Sequence, residues 1–196
     1  MKLLALILLL ATTAHARTYQ IDLIQSHGFR EVPRQDAIAM REVTFYKFAQ
    51  IGVKLKRGRV SYTKIKNPDY NLLTYDRGAL FWQRHLPPRK NIIRHVMTPP
   101  FYDIGLWFIG GVAPGICVVH WKYAVSTSNA QLFNIDGLDR WWHSAIAMTH
   151  ELGHVFGAKH TKSDSLMNIG ALHYEPVELL EFSPESANQI YKCISR

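Results

Sequence analysis

His150, Glu151, His154 and His160 lie within one stretch, HELGHVFGAKH, and their side chains are of the kinds that bind a divalent ion and move a proton. His150 and His154 are four residues apart. On a helix their imidazoles leave one face and can meet a single tetrahedral ion at about 2.0–2.1 Å. Gly157 can adopt the positive φ that ends a helix and bends the chain, bringing His160 round as a third ligand. Three neutral histidines leave the fourth position of a zinc ion open, which marks a catalytic rather than a structural site. Glu151, beside the first ligand, is the candidate general base for a water at that position. HExxH alone recurs by chance in unrelated helices. HExxHxxGxxH is far more specific, since three ligands, a base and a turn glycine must coincide.

Several elements must position these groups. Residues 139–157, DRWWHSAIAMTHELGHVFG, read as a helix capped by Asp136 or Asp139, with Ala145, Met148, Leu152 and Val155 as its core-facing stripe. Upstream, YQIDLI (19–24) alternates as a strand. Residues 34–51 carry Ile38, Met40, Val43, Phe45, Phe48 and Ala49 at mostly helical intervals before Gly52. VKLKRGRVSYTKIK (53–66) predicts a strand with a bulge at Gly58, or a tight hairpin, with a strongly cationic outer face. A helix over 76–85 ends at Pro87-Pro88, and NIIRHVM (91–97) reads as a buried strand. IGLWFIGG (104–111) is a further apolar strand, and ICVVHWKYAVSTS (116–128) holds one or two more.

The chain has 196 residues, 47% of them hydrophobic and 12% aromatic, which fits one compact domain. Lys2, the apolar run that follows it and Ala14-His15-Ala16 predict a signal peptide over 1–16. That run is far shorter than the roughly 20 residues of a membrane span, and no later stretch approaches it, so no membrane span is expected. The mature protein is therefore expected to be secreted or periplasmic. In an oxidising compartment Cys117 and Cys193 are expected to form a disulfide, with two separate buried thiols as the alternative. Residues 17–100 hold 16 Lys and Arg against 6 Asp and Glu, whereas residues 101–196 hold 6 against 9. The basic first half invites a polyanion surface, although cations spread over solvated faces are commoner; nucleic acid is not the expected partner.

The extended motif resembles that of the metzincin clan of zinc peptidases, and Met167, in SLMN seven residues after His160, matches that clan's Met-turn. Within the clan, IGLWFIGG, Gly115-Ile116-Cys117, KYAVS (122–126) and AMTHELGHVFG (147–157) resemble the reprolysins (adamalysins) in the order edge strand, cysteine, next strand, zinc helix. FSPESANQIYKC (182–193) resembles their C-terminal helix with its closing cysteine, which favours the Cys117–Cys193 bridge. The detailed likeness covers residues 103–195. The chain departs from the pattern in places. Thr161 stands where many metzincins have Asp, which puts a contact behind the ligands in question; the additional cysteines usual in reprolysins are missing. Asp103 is the sole carboxylate between residues 77 and 135, so the acidic loops that hold calcium in matrixins are unmatched. Little chain separates residue 16 from the first helix, so no inhibitory prodomain is expected.

The resemblance implies an α+β, zincin-like (metzincin) fold: a twisted mixed five-stranded sheet with two long helices and a small C-terminal subdomain. Residues 17–196 form one catalytic domain, with the N-terminal subdomain over about 17–157 and the C-terminal one over about 158–196. It implies a secreted zinc-dependent endopeptidase, monomeric, with one catalytic zinc ion on His150, His154 and His160 and Glu151 as base. An extended protein or peptide substrate would pair with Ile104, Gly105, Leu106 and Trp107. The pocket after the Met-turn, with Ile169, Leu172, Leu179 and Tyr174, would take the residue beyond the cut, and Tyr174 alternatively serves the oxyanion. The rival readings are a catalytically silent zinc-binding or adhesion module and a polyanion-binding basic protein. His143, two helical turns before His150 and so roughly 10.5 Å away, is expected to line the cleft or the helix surface. His27, His85, His95 and His120 lack ligand spacing, and Trp141 and Trp142 are expected to pack at the helix start.

Overall fold

Two strands that are buried on both sides form the middle of the sheet, as expected when a parallel sheet is covered on both faces. They are β1 (Tyr19–His27) and β3 (Ile92–Thr98), and they pair in parallel register. The structure, a computed structural model, describes residues 18–27, 33–66, 75–98, 101–102, 108–109, 111–120, 124–129, 141–162, 165–168 and 179–196. Between β1 and β3 come α1 (Arg34–Gln50), β2 (Leu55–Lys66) and α2 (Tyr75–His85). After β3 follow β4 (Phe101–Tyr102), β5 (Phe108–Ile109), β6 (Gly111–Val112), β7 (Val125–Asn129), α3 (Trp141–Val155) and α4 (Pro184–Ile194). The sheet runs β2-β1-β3-β7-β6, parallel from β2 to β7, with the two-residue β6 antiparallel at one end.

Side-chain alternation sends Ile21, Leu23, Ile93 and Met97 to one face, where they meet α1 and α3 in the main core. Ile24 and Val96 point to the other face, against Trp82 of α2 and Leu86. Phe156, just past α3, sits among Tyr19 and Phe48 with ring centroids 5.2 and 5.0 Å away, so the end of the helix that carries His150 and His154 is anchored in aromatic packing. Each such fully buried ring contributes on the order of 2–3 kcal/mol. The stripe expected on α3 is confirmed, since Ala145, Met148, Leu152 and Val155 are all buried.

Three features differ from or go beyond the sequence reading. The first is α1, a helix as expected, which buries Arg41, Thr44 and Lys47 beside Ala37, Met40 and Phe48, while Ala49 is exposed and Ile38, Val43 and Phe45 are half-buried. Polar groups are tolerated there because they find partners: the Arg41 Nη1 donates to the Gly58 carbonyl at 3.0 Å, and Thr44 Oγ1 lies 3.0 Å from Thr149 Oγ1 of α3. The second concerns IGLWFIGG, which is not one strand. Phe108–Ile109 pairs with β4 in a separate two-stranded sheet and Gly111–Val112 joins β7, the break falling at the glycine pair where pairing is weakest. The third concerns residues 116–128, where one or two strands were expected: β7 is one, while residues 116–120 form a turn that donates to the end of α3. Cys117, Val118 and Val119 donate their N–H groups to the His154, Val155 and Val155 carbonyls at 3.0, 2.9 and 3.0 Å. Terminal helix carbonyls need such donors, and this demand outweighs the β propensity of Val118 and Val119.

VKLKRGRVSYTKIK is a single strand rather than a hairpin. Its register against β1 slips between Ile21 and Leu23, placing the bulge at Gly58, where a Cβ would stand 2.0 Å from Asp22 Oδ1. The turn before α4 follows the capping rules: Ser183 Oγ accepts from the Ser186 N–H at 3.1 Å, with Pro184 opening the helix. Cys117 and Cys193 form a disulfide, Cα atoms 5.6 Å apart, tying the turn over α3 to α4. The candidate caps Asp136 and Asp139 and the proposed signal peptide 1–16 lie outside the described residues.

Candidate metal centre

α3 ends in a Schellman closure. Ala158 donates to the Gly153 carbonyl and Gly157 to the His154 carbonyl, both at 2.9 Å, with Gly157 at φ 112°. Space also demands glycine at 157, because a Cβ there would lie 2.6 Å from Cys193 Cβ. The chain then reverses along α4, where the Lys159 N–H donates to Gln189 Oε1 at 2.7 Å, and His160 returns to the face of α3 that carries His150 and His154.

The three Nε2 atoms converge. His150 to His154 is 3.2 Å, His150 to His160 is 3.2 Å, and His154 to His160 is 3.0 Å. Two ligands of a tetrahedral ion at 2.0–2.1 Å are themselves about 3.3 Å apart, so one small divalent cation fits between these nitrogens. The opposite ring nitrogens are committed elsewhere: His150 Nδ1 donates to the Leu166 carbonyl at 2.6 Å and His154 Nδ1 to the Ala158 carbonyl at 2.8 Å. A proton held on Nδ1 leaves the Nε2 lone pair facing the centre, the arrangement that orients metal-binding histidines. Among the described residues no other group of His, Cys, Asp or Glu converges in this way, and His143 is not part of it.

Leu166 belongs to a turn, with Asn168 donating to the Ser165 carbonyl at 3.0 Å, that is laid against the helix. Thr161 holds it there: its N–H donates to the Met167 carbonyl at 2.9 Å and its Oγ1 lies 2.8 Å from Ser165 Oγ. Met167 is fully buried beneath the helix turn between the first two histidines. A Cβ on Gly153 would stand 2.5 Å from its Sδ and 3.2 Å from Phe182 Cε1. A mid-helix glycine costs about 1 kcal/mol relative to alanine, and here the missing Cβ makes room for Met167. Gly153→Ala is therefore expected to destabilise the fold by roughly 1–2 kcal/mol despite the better helix former, because an overpacked core outweighs the propensity gain. Urea unfolding checks this, and in a Met167→Ala background the same substitution is expected to be neutral or stabilising.

Burial governs the electrostatics. Desolvation lowers His150 to about 3 and His154 to about 4, with neighbouring histidines adding to the effect, and lowers His160 as well. His95, fully buried on β3 with Nδ1 2.8 Å from Ser126 Oγ, is lowered to about 3 by desolvation. Glu151 is buried, and desolvation raises it to about 8. A divalent cation among the three histidines opposes that shift by favouring the carboxylate. Below pH 6.5 the unfolded chain gains histidine protons that the metal-free fold refuses; above pH 4.5 it loses the Glu151 proton that the fold keeps. Between these values histidine protons outnumber the carboxylate proton, so metal-free stability is expected to peak near pH 6.5 and fall on acidification by roughly 2–3 kcal/mol per pH unit. Above 6.5 the Glu151 contribution declines towards pH 8. Denaturant unfolding of metal-free protein from pH 5 to 8 measures this, and a stability that rises on acidification would contradict it.

Three solved structures share this architecture. Metalloproteinase-II from Bacteroides fragilis superposes with a TM-score of 0.64 at 13% identity, covering 91% of this chain and 54% of that one, so the chain spans about half its length. Archaemetzincin from Methanopyrus kandleri superposes at 0.63 with 16% identity, covering 94% of this chain and 99% of the other. Archaemetzincin from Archaeoglobus fulgidus, complexed with malonate, superposes at 0.52 with 20% identity, covering 86% and 99%. The fold is the one these three proteins share. No family model and no curated protein matches the sequence.

Of the residues singled out by sequence, His150, His154, His160 and Met167 are brought together, and Glu151 is buried on the same helix. Ile104, Gly105, Leu106, Trp107, Ile169, Leu172 and Tyr174 lie outside the described residues, and Leu179 is 70% exposed. His120 Nε2 donates to the Cys193 carbonyl at 2.9 Å, and His85 Nδ1 lies 2.8 Å from the Phe81 carbonyl, so both are used locally. Sequence reasoning missed the Leu166 and Ala158 carbonyls, which orient the ligands, and Gly153. The carbonyls left no signal in residue type. Gly153 did leave one, as a glycine between two ligands of a helix otherwise rich in good helix formers.

Proposed function

We propose that the chain is a zinc-dependent endopeptidase of the metzincin type. The observation that carries this reading is the set of three Nε2 atoms 3.0–3.2 Å apart, with Nδ1 of His150 and His154 pinned to carbonyls and a buried carboxylate adjacent in the chain. Imidazole nitrogens at tetrahedral spacing suit zinc among the common biological cations. The fold shared with a protein described as a metalloproteinase supports the reaction class. A zinc ion there supplies Lewis acidity, polarising a carbonyl and making water acidic near neutral pH.

The chain's own residues do the rest. His150 and His154 keep their lone pairs aimed inward because each Nδ1 proton is bound to a carbonyl. Glu151 accepts the proton of the attacking water and passes it to the leaving amine, and its burial keeps bulk water from competing for that proton. Protein or peptide chains are the substrates. The reprolysin-like order of elements and the Cys117–Cys193 link support placement near that group. Residues 1–16 serve as an export signal, and residues 17–196 act as one catalytic domain divided near Gly157, working as a monomer outside the cytoplasm. Among the described residues no helix is long and apolar enough to cross a membrane.

The test is cleavage of a denatured protein mixture by the purified chain after metal removal and readdition. Hydrolysis is expected to vanish with a chelator and return with about one equivalent of zinc. Stoichiometric zinc binding without any cleavage would favour the silent zinc-binding module instead.

A further inference from the structure

We propose that the outer edge of β2 docks an extended acidic peptide, which adds to the sheet as a further strand. β2 closes the sheet order at the end opposite β6 and pairs with β1 alone, so the N–H and C=O groups of its outer edge are not used by the sheet. At about 3.3 Å per residue its twelve residues offer roughly 40 Å of edge. Long edges of this kind pair readily with another extended chain.

The charge pattern selects the occupant. No Asp or Glu occurs between Glu42 and Asp69, while Lys54, Lys56, Arg57, Arg59, Lys64 and Lys66 fall in that interval. Arg57 is engaged by Glu42, Nη2 to Oε2 at 2.6 Å. Lys54, Lys56, Arg59 and Lys64 are exposed, and none of them forms an ion pair among the described residues.

These cations lie on both faces of the sheet. Leu55 packs on the main core, so its neighbour Lys56 projects from the opposite face; Ile65 packs on the second cluster, so Lys64 projects from the first face, next but one to Tyr62, which is 55% exposed. An added strand also alternates its side chains between the two faces. Acidic residues on both sides of such a strand would therefore meet lysines on both sides, while its backbone satisfies the edge. A sulfated glycan or a nucleic acid carries charge but not the alternating N–H and C=O groups that the edge presents. The edge lies about four strand spacings, roughly 19 Å, from β6, and nothing in its recognition chemistry involves the three histidines.

Fluorescence anisotropy on the full chain tests this with a labelled octaglutamate, the same peptide methylated at every backbone nitrogen, and dextran sulfate. The unmodified peptide is expected to bind saturably, and backbone methylation to weaken it at least tenfold at equal charge. Lys56→Glu with Lys64→Glu is expected to weaken it at least tenfold at an unchanged melting temperature, whereas Lys192→Glu on α4 leaves it within twofold. Lys56→Gln with Lys64→Gln serves if charge reversal disturbs folding. Equal binding of the methylated peptide would show a polyanion surface without strand addition. No saturable binding would show that the lysines only keep the edge solvated. Either result overturns the proposal.

Discussion

Glu151→Gln is expected to lower peptide-bond hydrolysis by about 10²–10⁴-fold, the range that a positioned general base contributes, while leaving zinc affinity within tenfold. Glutamine keeps the shape of the side chain and its hydrogen-bonding oxygen but accepts no proton near neutral pH. The site is suited to this comparison because burial already raises Glu151 to about 8 in the metal-free protein, where the group is held as a neutral acid at pH 7. Replacing it with a neutral amide therefore removes no charge that the metal-free fold depends on and takes away the unfolded chain's gain from ionising Glu151, so at pH 7 the metal-free variant is expected to unfold at a midpoint no lower than its parent's. Initial rates on a quenched fluorescent peptide, beside zinc titration of both proteins, separate the proton-transfer role from ligation. A variant as active as its parent would remove Glu151 from the mechanism even with the metal centre intact.

His154→Ala is expected to weaken zinc by about 10²–10³-fold. Apparent binding energies near 10–16 kcal/mol shared among the ligands of a zinc site put roughly 3 kcal/mol on each, and every 1.4 kcal/mol is tenfold. The substitution removes a buried ligand and its Nδ1 contact to the Ala158 carbonyl. It should also abolish the zinc-dependent rise in melting temperature, because stabilisation by a ligand follows its concentration relative to Kd. His85→Ala is the matching control: that side chain stacks on Phe81 at 4.0 Å and is expected to leave affinity within twofold. Competition with a chromophoric chelator gives both constants, and equal values for the two variants would show that His154 is not a ligand.

Some of the fold was legible because period and spacing are local properties. β1, α1 and β3 follow from alternation, helical intervals and apolar runs, each of which acts within a few residues, whereas α4 was expected from the resemblance. The buried polar face of α1 was not legible, for the opposite reason. Arg41, Thr44 and Lys47 look like solvent residues, and their burial depends on partners far along the chain, such as Thr149 and the Gly58 carbonyl. The turn at 116–120 is a similar case, since Val118 and Val119 favour a strand until the end of α3, some 36 residues later, needs donors.

At the candidate site the division is sharper. HExxHxxGxxH determined by itself which side chains can share an ion, because the offset of four on a helix and a glycine able to take φ 112° are properties of neighbouring residues. Tertiary structure alone decided how those side chains are held: the Leu166 carbonyl on His150, Met167 in the gap left by Gly153, Thr161 closing the turn, and Cys193 against Gly157. Backbone carbonyls and packing gaps carry no residue identity, so only the folded chain, which brings residues 153, 157, 166 and 193 together, reveals them.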